Sequence, residues 1–185
     1  MPVIRHLLPA VSLPAVSLPA LSPPAGRPPA AEWAVFPLDS ASVAAELGPL
    51  IEACNAVQAP GPRLSVAGIA GDLAGRTART ARGFVAQRVR GTGPDEAKTG
   101  PASCLGLAVL IDAHGGRGRR FSLATLLVHP TMRRRGIAAA LVQHTLAHVQ
   151  SCGGTEVCVE SLSSWPAATA FWQALSRSDH ARIKA

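Results

Sequence analysis

The hydrophobic and polar positions divide the chain into a first part interrupted by prolines and a remainder with regular periodicity. Residues 7–19 read LLPAVSLPAVSLP, a five-residue unit that repeats a proline, and proline-rich sequence continues to about Pro29. Proline removes an amide donor and clashes with the preceding helical turn, so this stretch cannot form a helix. We therefore predict that residues 1–31 are a disordered, polyproline-like tail and that deletion of residues 1–30 leaves the melting temperature unchanged.

A secretory signal peptide is a second interpretation of the same segment, because Arg5 precedes several apolar residues. The prolines interrupt the continuous apolar stretch that a signal peptide needs. The disordered tail is therefore the interpretation that the sequence favours.

The periodicity after the tail predicts alternating strands and helices. Residues 33–38 are typical of a short strand, and residues 43–54 carry apolar side chains at helical spacing. Pro49 lies inside this helix and predicts a kink or an early end. Residues 60–83 show only a weak helical pattern.

The pattern becomes clear from residue 84 onward, where glycines and prolines mark the element boundaries. The predicted strands cover 84–89, 104–111, 120–128 and 156–161, and the predicted helices cover 135–150 and 165–175. A loop over 91–101 and a glycine-rich hairpin turn over 114–118 join the first three of these strands. The order β-α-(α)-β-β-β-α-β-α predicts an α/β fold of one domain.

Composition and charge narrow the choice of partners. The net charge is +7, from 18 Lys and Arg against 11 Asp and Glu, which favours an anionic partner such as a nucleic acid or a phosphate-bearing cofactor. The four cysteines form no CxxC pair and no zinc-type spacing, so we expect reduced thiols, no metal and a cytoplasmic protein. The sequence contains no run of 18 apolar residues, so we do not expect a transmembrane helix.

The most informative segment is LLVHPTMRRRGIAAAL, residues 126–141. A predicted strand ends at Pro130, a basic loop follows, and Gly136 begins a helix. The first amides of a helix lack internal partners and the helix dipole is positive there, so such a start binds a pyrophosphate well. A basic surface turn without a ligand is the alternative.

The segment also resembles a known family. The residues Arg133-Arg134-Arg135-Gly136-Ile137-Ala138 are similar to the Q/R-x-x-G-x-G/A motif of the GNAT (N-acetyltransferase) superfamily. Val159-Glu160-Ser161 and residues 167–172 resemble the fifth strand of that family and the helix after it. The resemblance implies an α/β fold with a mixed, mostly antiparallel sheet flanked by helices. It assigns residues 32–176 to the acetyltransferase domain and leaves 177–185 as a C-terminal tail or a short edge strand.

The resemblance further implies acetyl-CoA as co-substrate and direct transfer of its acetyl group to a primary amine, carried by a small molecule or a peptide. Glu160 is the candidate general base. The residues implied to bind acetyl-CoA lie on the strand before the loop and at the helix start: Leu126, Leu127, Val128, Arg133, Arg134, Arg135, Gly136, Ile137, Ala138 and Ala139.

The chain departs from the family pattern at several positions. The family's last helix usually carries a tyrosine that protonates the leaving thiolate, whereas Trp172 stands there and the chain contains no tyrosine. Thr125 replaces the family's carboxylate on the fourth strand, and Ser176-Arg177 replaces a Gly-Phe pair. The sequence ends ten residues after Leu175, where a strand or hairpin normally follows. A non-catalytic acyl-CoA-binding or partner-binding module is therefore the alternative function.

Other groups invite functional interpretations that the sequence does not favour. His144 and His148 have the spacing of a zinc-binding helix, but Thr145 occupies the place of the glutamate that such a motif needs. No run of aromatic side chains interleaves the basic residues over 76–90 and 117–120, so we do not expect nucleic-acid binding through them. The sequence does not predict an oligomeric state.

Overall fold

The structure, a computed structural model, describes residues 3–9, 33–38, 43–58, 63–73, 81–89, 104–113, 120–162 and 166–183. Three predicted features lie wholly or largely outside these residues. They are the part of the predicted tail after residue 9, the loop over 91–101 and the hairpin turn over 114–118.

The described residues form six strands and four α-helices. The strands are β1 (Val3–Pro9), β2 (Trp33–Leu38), β3 (Ala81–Arg88), β4 (Cys104–Ala113), β5 (Arg120–Val128) and β6 (Glu156–Leu162). The helices are α1 (Val43–Ala56), α2 (Val66–Leu73), α3 (Ile137–Ser151) and α4 (Pro166–Ile183), and a short 3-10 helix covers Pro130–Met132.

The strands form one sheet in the order β1-β6-β5-β4-β3-β2. Every neighbouring pair is antiparallel except β5 and β6, which are parallel because α3 connects them as a crossover. The prediction of a mixed, mostly antiparallel sheet is confirmed.

Helices cover both faces of the sheet, as predicted. On one face, α1 and α2 pack on β3 and β4 through a cluster that includes Leu47, Leu50, Ile69, Val85 and Leu107. On the other face lies a larger cluster, with α3 packed over β2 to β6 and α4 packed over β6 and β1. Its members include Phe84, Leu110, Phe121, Leu123, Ile137, Leu141, Leu146, Val149, Val157, Val159 and Trp172. Successive residues of β3 alternate between the two clusters, because side chains alternate across a strand.

The helix α1 continues through Pro49 to Ala56, so an early end at the proline does not occur. Leu47, Leu50 and Ile51 on either side of the proline are buried against the sheet. Their packing offsets the hydrogen bond that the proline removes, and tertiary contacts commonly override local propensity in this way.

The prediction of a disordered tail over 1–31 is wrong for residues 3–9, which form β1 along the outer edge of β6. The proline argument excluded a helix correctly but did not exclude a strand. Residues 3–8 contain no proline, and Pro9 stands at the end of an edge strand, where its missing amide is tolerated.

Residues 177–183 also differ from the prediction of a tail or edge strand, because α4 runs without interruption to Ile183. No glycine or proline follows Leu175 in the sequence. The local sequence therefore contains no signal that ends the helix at Leu175.

A tight contact at the end of α3 yields a stability prediction. A Cβ atom added at Gly154 would lie 2.5 Å from Cε2 of Phe121 and 2.6 Å from Cγ1 of Val149. We expect Gly154→Ala to lower the free energy of unfolding by about 1–3 kcal/mol, because both neighbours belong to the packed core. Thermal and urea unfolding measure this loss. Gly48→Ala is the control, because no atom lies within 4 Å of its added Cβ.

His148 makes the stability dependent on pH. Burial lowers the pKa of His148 below its ordinary value, and the charge of Arg82 lowers the same pKa further. The unfolded chain therefore binds more protons than the folded chain between this lowered pKa and about 6.5, so stability falls as the pH falls through that window. Urea unfolding between about pH 7 and pH 5 should show a flatter dependence for His148→Gln. His144→Gln, at an exposed position one turn earlier, is the control for the loss of a histidine from α3.

Candidate functional site

A cleft opens between β5 and β6 because the two strands pair over only part of their length. Residues 120–123 of β5 pair with residues 156–159 of β6, and the two strands then separate. Beyond that point β5 continues along β4, while β6 continues along β1. Among the described residues, no strand pairs with the edge of β5 that faces β6 over 124–128.

A bulge in β5 coincides with this separation. Val109 of β4 pairs with Thr125, whereas the next residue, Leu110, pairs with Leu123. Ala124 is therefore the extra residue of the bulge. A bulge bends the strand that carries it and increases the local twist, so it directs the end of β5 away from β6.

The loop after β5 contains two residues in left-handed backbone conformations. The φ angle is 65° at Arg134 and 82° at Gly136. Glycine adopts this conformation without a steric cost, whereas a side chain such as that of Arg134 makes it unfavourable by about 1–3 kcal/mol. Strain of this kind persists where the surroundings fix the backbone, which is frequent at binding loops.

The helix α3 begins at this loop with free donors. Its N-cap, Gly136, has no side chain to cap the helix, and the first amide bonded within the helix is that of Ala140, to the carbonyl oxygen of Gly136 at 3.0 Å. The amides of residues 137–139 consequently have no partner inside the helix.

The surroundings of these amides suit a pyrophosphate. Arg133, Arg134 and Arg135 are exposed beside the helix start, and a Cβ atom added at Gly136 would meet no atom within 4 Å. The combination of unpaired amides, a positive helix dipole, cationic side chains and open space fits the diphosphate of a nucleotide cofactor. The side chain of Ile137 is buried in the core, so only its backbone is available to a ligand.

The predicted strand residues adjoin this loop at the end of β5. Leu126 and Val128 are half-buried against the α3 side of the sheet, and Leu127 is half-buried against the α1 side. The amide of His129 donates to the carbonyl oxygen of Leu105 at 2.8 Å, which ties the end of β5 to β4. The structure therefore brings the predicted strand segment and the predicted loop together at one end of the sheet.

Cys54 is a part of this region that the sequence did not single out. Its Sγ lies 3.6 Å from the carbonyl oxygen of Val128 and donates to it. Burial raises the pKa of the Cys54 thiol, and the nearby Arg133 guanidinium offsets this increase only in part. The thiol is therefore protonated near neutral pH. On the helix pattern alone, Cys54 was indistinguishable from a core residue.

Glu160 occupies the first position of β6 after the two strands separate, and its side chain is exposed. It lies on a different strand from the other predicted residues, across the cleft. Its register partner on the opposite side is Arg5 of β1.

The histidine pair of α3 has local partners. Nδ1 of His144 lies 3.0 Å from the carbonyl oxygen of Ala140, and the ring of His148 packs edge-on against Phe84 with centroids 5.7 Å apart. No group of three or more His, Cys, Asp or Glu side chains that could hold a metal occurs in the described ranges. Within the same ranges, no helix is long and apolar enough to cross a membrane.

The sequence model of the GNAT acetyltransferase family matches residues 81–176, which is more than half of the chain. The matched region runs from β3 through the cleft and the loop to α4. The chain belongs to the GNAT acetyltransferase family. No curated protein sequence matches it.

Solved GNAT structures share the fold at low sequence identity. An aminoglycoside acetyltransferase from an uncultured soil metagenomic sample, solved with sisomicin, is 16% identical and has a TM-score of 0.57, covering 78% of this chain and 87% of its own. A ribosomal-protein-alanine N-acetyltransferase from Brucella melitensis biovar Abortus 2308 is 16% identical with a TM-score of 0.58, covering 78% and 90%. The NatC complex bound to Gag peptide and CoA is 21% identical with a TM-score of 0.55, covering 78% and 83%.

Two positions that depart from the GNAT pattern are at least partly buried. Trp172 is 4% exposed and packs edge-on against Phe171, with ring centroids 4.7 Å apart. Thr125 is half-buried and pairs with Val109. An indole in the core cannot supply a proton to a leaving group, and neither position carries a carboxylate or a phenol.

Proposed function

We propose that this chain transfers the acetyl group of acetyl-CoA directly to a primary amine. The observation that carries the proposal is the uncapped start of α3 beside the cleft between β5 and β6, in a chain of the GNAT acetyltransferase family. A diphosphate site and an open strand edge adjoin there. Acetyl-CoA carries a diphosphate and an amide-containing arm, which match these two features.

The helix start and the arginine loop are the proposed diphosphate site. The amides of residues 137–139 would donate to the phosphate oxygens, and Arg133, Arg134 and Arg135 would add a positive field. The unpaired edge of β5 over 126–128 would hydrogen-bond the pantetheine arm as a strand would. This placement directs the thioester into the cleft toward β6.

The chemistry proposed for the cleft is a single displacement. The amine nitrogen attacks the thioester carbonyl carbon, a carbon–nitrogen bond forms, and the carbon–sulfur bond breaks to release the thiolate. Glu160 accepts the proton of the amine through an ordered water, and the thiolate takes its proton from solvent. Holding both reactants in one cleft supplies much of the rate enhancement.

The protonated state of Cys54 supports direct transfer over a route through an acetylated cysteine. The thiolate is the nucleophilic form of cysteine, and burial raises the pKa of this thiol. Cys54 is therefore a poor nucleophile. Its sulfur lies beside the proposed site, 3.6 Å from the carbonyl oxygen of Val128, but its proton is donated to that oxygen.

The acceptor is proposed to be a small-molecule or peptide amine. GNAT structures with the same fold were solved with sisomicin and with a Gag peptide together with CoA, so the fold accommodates both classes in those proteins. The exposed Glu160 at the cleft is compatible with a cationic amine approaching from solvent.

The test is release of the CoA thiol from acetyl-CoA in the presence of an amine panel of polyamines, aminoglycosides, amino acids and peptides. We expect at least one class to raise thiol release well above the rate without amine, with the acetylated product seen by mass spectrometry. Acetyl-CoA binding without turnover of any amine would instead favour a non-catalytic acyl-CoA-binding or partner-binding module. Absence of both binding and turnover would contradict the proposal.

A further inference from the structure

The two walls of the cleft, residues 124–128 of β5 and residues 160–162 of β6, are supported in different ways. Beyond the point of separation, β5 pairs with β4, a central strand that is itself paired with β3. The continuation of β6 over residues 160–162 has no such support from the centre of the sheet. Among the described strands it pairs with β1 alone, through Glu160 with Arg5, Ser161 with Ile4 and Leu162 with Val3.

The strand β1 therefore provides the backbone pairing that the β6 wall receives beyond residue 159. All seven residues of β1 pair with the seven residues of β6, whereas β5 reaches only the first four of them. The helix α4 packs against both β1 and β6, so the two strands form a unit with one helix behind it. This unit carries Glu160 and faces the fixed edge of β5.

We propose that β1 is a positioning element of the cleft, which holds residues 160–162 at the distance from β5 that acetyl transfer requires. The inference rests on the proposed function and deepens it. It assigns a catalytic contribution to residues 3–9, a segment that the family match over 81–176 does not include.

The physical basis is the accuracy that direct transfer requires. A strand without a partner on either side over three residues loses the hydrogen bonds that fix its backbone, so its atoms sample a wider range of positions. A displacement of about 1 Å in a reacting group can lower a rate by as much as about a hundredfold. The diphosphate site lies on β5 and α3 and does not depend on β1, so acetyl-CoA binding should be spared.

The test uses proline substitutions in the full chain. Ile4→Pro and Arg5→Pro each remove one backbone amide. The amides of consecutive strand residues point to opposite edges, so one of the two substitutions removes an amide that faces β6. We expect kcat to fall about tenfold or more in at least one of the two variants, while the KM for acetyl-CoA changes less than about threefold. Amide hydrogen exchange at residues 160–162 should become faster in the same variant.

Matched variants separate positioning from general damage. Ile4→Ala keeps the amide and should retain most of the wild-type kcat, and Arg5→Ala measures how much of the Arg5→Pro effect comes from the lost side chain opposite Glu160. Ala34→Pro and Val35→Pro place the same change in β2, the opposite edge strand, whose one partner among the described strands is β3. They should leave the exchange of residues 160–162 unchanged. If a proline variant does not fold, Ile4→Gly weakens the strand more mildly and should lower kcat in the same direction.

The inference is overturned if kcat is unchanged while exchange at residues 160–162 becomes faster, because the wall would then be mobile without consequence. It is also overturned if the β2 variants lower kcat as much as the β1 variants do. Failure of the proposed function looks different, since the wild-type chain itself would then show no turnover. In that case hydrogen exchange at residues 160–162 still measures whether β1 holds β6.

Discussion

We expect Gly136→Val to weaken acetyl-CoA binding by roughly tenfold or more. Gly136 has a φ of 82° and caps α3 without a side chain. A β-branched residue there either shifts the backbone out of the left-handed region, which turns the amides of residues 137–139, or fills the open space beside them. Titration calorimetry with acetyl-CoA measures the change.

A second glycine next to α3 provides a control for the stability that is lost when valine replaces a glycine in the left-handed conformation. Gly153 has a φ of 75°, lies just beyond the other end of α3, and like Gly136 has no atom within 4 Å of an added Cβ. Gly153→Val should therefore lose a similar amount of stability and keep its affinity for acetyl-CoA. Equal affinities of folded Gly136→Val and wild type would contradict the assignment of the diphosphate site.

Glu160→Gln should lower kcat by about tenfold or more, since a general base contributes at least that much to a proton transfer. Glutamine keeps the size of the side chain and removes the acceptor for the amine proton. Glu156→Gln is the control, because Glu156 lies on the same strand within the stretch that is still paired to β5. Steady-state rates at saturating acetyl-CoA measure both variants.

The pH dependence of the wild type extends this prediction. The chain contains no tyrosine, and Trp172 is buried in the core, so no phenol is present whose deprotonation would slow the reaction. We expect the rate to rise with pH as the amine loses its proton more easily, without a falling limb up to about pH 9.5. Trp172→Phe should keep this shape.

A bell-shaped profile would contradict this account, and so would equal rates for Glu160→Gln and wild type. If the falling limb of such a profile disappeared in Trp172→Phe, the indole would have a role that its burial does not suggest. A full rate in Glu160→Gln would assign proton transfer to solvent alone.

The central part of the fold could be predicted because its elements carry strong local signals. The strand over 120–128 ends before a proline, and α3 begins after Gly136 and ends two residues before Gly153, so the predicted boundaries agree with the structure within two residues. The location of the arginine loop, between the end of this strand at Pro130 and the start of the helix at Gly136, followed from the same two residues. The family motif lies across that loop, which explains why the candidate site was found there.

The features that the sequence did not reveal depend on pairing across long distances. The strand β1 acquires its partner from residues 156–162, about 150 positions further along the chain, and nothing within residues 3–9 specifies that partner. The contact between Cys54 and Val128 likewise joins two elements 74 residues apart. The left-handed backbone of Arg134 is imposed by the loop, because arginine has no preference for it.

The most direct test of the acetyl-CoA assignment is a titration of the ¹⁵N-labelled chain with acetyl-CoA, followed by amide NMR. The account predicts that the largest shifts occur at the amides of residues 137–139 and along 126–128, with smaller changes at the amides of α2 and β2. Shifts concentrated in α2 or β2, or no shifts at millimolar acetyl-CoA, would contradict it.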